Sequence, residues 1–111
     1  MVRKADDGAL DSATSLPETA YVLTATGQNR IGFVATITSF CAKNDINILD
    51  LSTTISGDVY VMILVIDLNC VESISDMRRA LQEFSQENGI TSVLQHYDIF
   101  RAVNEINLPI R

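Results

Sequence analysis

An unbroken apolar run, Val59 to Ile66, follows directly on the turn sequence Ser56-Gly57-Asp58 and gives way to Asp67. It is far too short to span a bilayer. It reads instead as a β-strand over Val59 to Leu68 with two apolar faces, and such a strand sits inside a sheet with cover on each side. Helices would cover one side; the other needs a further element or a second subunit. Gly57 tolerates positive φ, so the turn predicts a hairpin. In the strand before it, Leu49, Leu51, Thr53 and Ile55 form a greasy face and Ile48, Asp50, Ser52 and Thr54 alternate with them.

The flanking segments supply the rest of a layered fold. Tyr21 to Thr26 is β-prone and stops at Gly27. Ile31, Val34, Ile37 and Cys41 then recur at helical spacing, with Phe33 and Phe40 beside the stripe. Asn29 or Arg30 is expected to start that helix, and Lys43-Asn44-Asp45 to end it. Ile74, Met77, Leu81 and Phe84 make a second helical stripe, with Asp76, Arg79, Glu83 and Glu87 toward solvent. Ser73 with Asp76 is a capping pair, and Asn88-Gly89 a helix stop. Residues 90–97 read as a last strand, and 98–107 as a short helix carrying Ile99, Phe100, Val103 and Ile106.

The order β-α-β-β-α-β defines an α+β, ferredoxin-like sandwich: a four-stranded antiparallel sheet, two helices on one face, and a short C-terminal helix. Residues 1–19 read as a polar, disordered tail, 20–97 as the domain, and 98–111 as a C-terminal extension. A net charge of -6 argues against a nucleic-acid surface, which needs clustered Lys and Arg. Cys41 and Cys70 belong to no metal-ligand cluster and read as small hydrophobes in a reducing compartment. No apolar stretch follows Arg3 and Lys4, so the expected location is cytoplasmic. No cofactor or metal is expected, and no membrane partner.

Candidate chemistry gathers around Gly27-Gln28-Asn29-Arg30-Ile31-Gly32 and the step Ile46-Asn47-Ile48. A helix N-terminus favours a carboxylate or phosphate, and an asparagine amide can meet either end of a zwitterion. The plainer account has Gly27 ending a strand, Asn29 capping the helix, Gly32 permitting close packing, and Asn47 making a local turn bond. No GKS or GKT follows, so the turn is not a phosphate loop. His96 is the single histidine and reads as structural; Asp98 beside it would cap the last helix. Tyr60 and Tyr97 could form a stacking platform, but two tyrosines on an acidic sheet are poor material for binding RNA. No Ser/His/Asp set or paired carboxylates occur, and the chain reads as a non-enzyme.

The G-x-N-R-I-G turn, the helix Phe33 to Lys43, the Asp45-Ile46-Asn47-Ile48 step, the Thr54-Ile55-Ser56-Gly57 hairpin and the ending Gln95 to Arg101 resemble the ACT domain family. They resemble in particular small stand-alone ACT proteins, similar to the glycine cleavage system repressor domains. The resemblance implies pairing side by side or face to face, often with an amino acid at the interface. On the matching positions, Asn29 and the backbone N–H groups of Ile31 and Gly32 would meet the ligand. Asn47 would reach it from a neighbouring subunit, Ile48 would line the pocket, and Gln28 and Arg30 would border it. Many ACT loops carry a proline where Ile31 stands here. The expected protein is therefore a homodimeric or larger regulatory module binding an amino acid or similar small ligand. The alternatives are a ligand-free dimerisation or protein-interaction module and an acylphosphatase-like hydrolase using Arg30.

Overall fold

A computed structural model describes residues 16–28 and 31–107 of the 111-residue chain. Four strands, β1 (Ala20–Gln28), β2 (Asn47–Ser56), β3 (Val59–Asp67) and β4 (Thr91–His96), form one sheet in the order β2-β3-β1-β4, every pair antiparallel. Helices α1 (Phe33–Lys43) and α2 (Ile74–Asn88) supply buried side chains to the core, and α3 (Tyr97–Asn107) follows β4 directly. This is the ferredoxin-like βαββαβ arrangement with a C-terminal helix that the hydrophobic patterning predicts. The tail read as disordered lies mostly outside the described residues. Its end is part of the fold: Thr19 Oγ1 donates to Asp67 Oδ1 at 2.6 Å and Leu68 N–H to the Thr19 carbonyl at 3.0 Å.

Alternation along the strands decides what enters the core. Leu23 and Ala25 of β1, Met62, Leu64 and Ile66 of β3, and Leu94 of β4 share the helix face. Phe33, Ile37, Phe40 and Cys41 meet them from α1, and Met77 and Leu81 from α2. The apolar stripe on α1 is therefore rotated from the expected one. Ile31 precedes the helix and is fully exposed, because the helix begins only at Phe33. Phe33, 1% exposed, gains about 2 kcal/mol from burial, and Phe40 packs on Phe84 with ring centroids 4.6 Å apart.

On the other sheet face cover is uneven. α3 touches β1 and β4, and Val22 is buried on this face. Val61, Ile63 and Val65 of β3 are only half-buried there, and Val59 and Val93 are exposed. The short-range signals hold at the hairpin, at both ends of α2 and at the C-terminus of α1. Gly57 makes the hairpin at φ 60, and Ser73 Oγ accepts the Asp76 N–H at 3.2 Å. Gly89 at φ 66 stops α2. Asp45, at φ 57, ends α1 as the left-handed residue while Ile46 N–H bonds the Cys41 carbonyl at 2.9 Å.

Candidate functional site

The turn between β1 and α1 differs from its expected design in both glycines. β1 does not stop at Gly27; it continues through Gln28, which pairs with Val59. Gly27 is needed inside the strand because a Cβ there would come within 2.6 Å of Phe33 Cε1. The Phe33 ring fills that place and stacks on Tyr60, the cross-strand partner of Gly27, at 5.0 Å and 19°. Tyr60 is thus committed to the core side and offers no stacking platform with Tyr97. Gly32 is the N-cap of α1, at φ 89, with nothing within 4 Å of a Cβ there. Its requirement is conformational, since left-handed backbone strains any other side chain.

The consequence, among the described residues, is a helix N-terminus without a side-chain cap and without an acidic residue in its first turn. The Gly32 carbonyl takes both the N–H and the Oγ1 of Thr36 at 2.8 Å, and that bond does nothing for the leading N–H groups. α2, by contrast, carries Ser73 as cap and Asp76 in its first turn. Within the described residues the start of α1 thus carries a partial positive charge that no side chain offsets.

Of the expected ligand-facing residues, Gln28 is exposed at the end of β1, Ile31 is fully exposed, and Gly32 sits at the helix start. Asn29 and Arg30 lie outside the described residues, and with Arg30 the residue on which a hydrolase would depend. Asn47 is the exposed first residue of β2, and Ile48 is half-buried against the core. A single chain does not bring the two groups together. Asn47 and Ala20 both pair with Asp67, whereas Gln28 and Ser56 both pair with Val59. The turn and Asn47 therefore occupy opposite ends of the sheet, roughly 27 Å apart at about 3.4 Å per residue.

Strand β2 is an edge strand, and nine of its ten residues are exposed. A bulge between Ile48 and Asp50 resets the alternation. Ile48, Leu51, Thr53 and Ile55 then share the helix face, paired with Ile66, Leu64, Met62 and Tyr60. Leu51 and Ile55 are nevertheless 38% and 56% exposed. The expected greasy face therefore holds from Leu51 to Ile55, but the bulge replaces Leu49 with Ile48 on it.

At the other end, His96 caps α3, a role expected of Asp98. The Asp98 N–H donates to His96 Nδ1 at 3.1 Å, so Nε2 carries the proton and donates to the Glu18 carbonyl at 2.7 Å. The imidazole also meets the Tyr21 ring edge-on at 5.1 Å. Of the two cysteines only Cys41 is buried; Cys70 is exposed between β3 and α2. Among the described residues no group of three metal-ligating side chains is found, and no helix is long and apolar enough to cross a membrane.

Strand order, antiparallel pairing and the two core helices define the class of ferredoxin-like βαββαβ domains. The chain belongs to the ACT domain family, whose model matches residues 19–95. It is 35% identical over 89 residues to a UPF0237 protein of Methanopyrus kandleri, covering 79% of this chain and 99% of that one. A UPF0237 protein of Clostridium perfringens is 31% identical, covering 77% of this chain and 97% of its own length. An ACT domain protein from Streptococcus pneumoniae shares the fold with a TM-score of 0.67 and 23% identity, over 76% of this chain and 96% of that one. A formyltetrahydrofolate deformylase from Pseudomonas putida contains the same fold, at TM-score 0.63 and 15% identity, over 68% of this chain and 28% of that chain.

Proposed function

We propose that this ACT domain protein is a cytoplasmic regulatory module, not an enzyme, that binds an amino acid or similar small ligand between two copies of itself. The observation that carries the reading is the open β2 edge, level at one end with Asn47 and at the other with the turn that starts α1. Antiparallel pairing of β2 with its symmetry mate would continue the sheet and reverse the second strand. The partner subunit's Asn47 would then come level with the Gln28 end, which its own chain keeps distant. The ligand's carboxylate would sit on the uncapped start of α1, with the amide of the partner subunit's Asn47 on its amine. Exposed Leu51 and Ile55 would be buried in the same step, an isologous contact suited to a two-fold axis. The charge of -6 disfavours nucleic acid and an anionic membrane as partners.

Two measurements test this together. Light scattering with size exclusion should give a dimer, and a thermal-shift panel of amino acids should raise the melting temperature for a subset of them. Asn29→Ala and Asn47→Ala should each remove that rise while leaving a dimer. A response unchanged in both variants would reject the assigned site.

A second reading keeps the dimer and drops the ligand. It is favoured by exposed Val59, Val93, Ile99 and Val103, apolar surface suited to holding a protein. It predicts an assembly insensitive to every small metabolite in the panel.

A further inference from the structure

We propose that the groove between α2 and the free edge of β4 is a separate ligand site, built for a short aliphatic carboxylate held by Arg78. The groove has a volume of about 460 Å³, within the range of small-molecule sites. Leu81 and Leu94, both buried, give it an apolar floor. Arg78 and Gln82 stand one turn apart on the α2 wall. The hydroxyls of Ser85 and Ser92 meet across the helix–strand gap at 2.7 Å, and either can turn outward as a donor.

Arg78 is what gives the groove its chemistry. One of its N–H groups donates to the Leu94 carbonyl at 2.6 Å, which fixes the guanidinium to the strand wall. The remaining donors of the fork stay open to a carboxylate. Among the described residues Arg78 has no acidic partner, whereas its neighbour Arg79 is paired with Asp76 at 3.3 Å. No Asp or Glu lines the groove, so an ammonium group finds no counter-charge there. The site therefore selects an acid lacking the amine over the corresponding amino acid. It is independent of the β2 edge, since β2 and β4 are opposite edges of the sheet.

The test is an NMR titration of the isotopically labelled full chain with 3-methylbutanoate, set against 3-methylbutan-1-ol and valine, its 2-amino counterpart. Saturable shifts are expected at the Ser92 and Leu94 amides and the Arg78 side-chain N–H, none with the alcohol, and weaker ones with valine. Arg78→Met should raise Kd at least about tenfold, while Asn47→Ala leaves it unchanged. Shifts that do not saturate, an equal response to the alcohol, or unaltered affinity in Arg78→Met would overturn the site. If Arg78→Met loses the native spectrum, Arg78→Lys decides: it keeps the charge but not the fork, so weakened binding supports the proposal and wild-type affinity defeats it.

Discussion

Gly27 works by the methyl group it lacks: the Phe33 ring occupies that space and reaches Tyr60 across the strand pair. Gly27→Ala should push the ring off its stacking partner and cost about 1–3 kcal/mol, the usual range for overpacking, read from urea melts. Cys41 makes a second prediction at this scale. Burial raises its thiol from 9.0 to about 11 because desolvation disfavours the thiolate. The unfolded chain then gives up this proton first. Stability from this group is intact below pH 9 and declines as pH rises toward 11, by at most about 1.4 kcal/mol per pH unit. Denaturant melts across that window should show the decline in the native chain and a flatter profile in Cys41→Ala. Glycines were visible in the sequence as turn markers, but their reasons were not, because a ring contact and a dihedral angle depend on where the chain goes next.

Among the elements, the sharpest contrast is between the two sheet edges. β4 has α2 alongside and Arg78 bonded to its Leu94 carbonyl, while every residue of β2 but Ile48 is exposed. Thr53→Pro removes an N–H near the middle of β2, where the edge has no strand neighbour among the described residues. If β2 pairs across a two-fold axis, this variant should run as a monomer by light scattering and lose any thermal response to amino acids. A dimer that survives would place the contact elsewhere, with the half-open face of β3 next to be examined. Ser73 and α2 offer an internal control. Ser73→Ala should cost about 1 kcal/mol through loss of the cap, with the oligomeric state unchanged.

For the whole molecule, the proposed dimer makes stability depend on concentration. The melting temperature should rise with total protein, and rise further with a ligand that spans the interface, because mass action favours the associated form. A melting temperature independent of concentration would indicate a folded, self-sufficient monomer.

Element order, the capping pair at Ser73, the hairpin at Gly57 and the stop at Gly89 were legible in the sequence, because each rests on local backbone chemistry or on the periodicity of neighbouring side chains. These suffice to specify a βαββαβ sandwich. Tertiary structure alone decided that Phe33 and Phe40 join Ile37 and Cys41 on the inward stripe of α1 while Ile31, ahead of the helix, stays outside it. It alone separated Gln28 from Asn47 by the length of the sheet and gathered Arg78, Leu94 and Ser92 around one groove. Those relations join residues far apart along the chain. Strand register and helix placement set them, and neither is written in any short stretch of sequence.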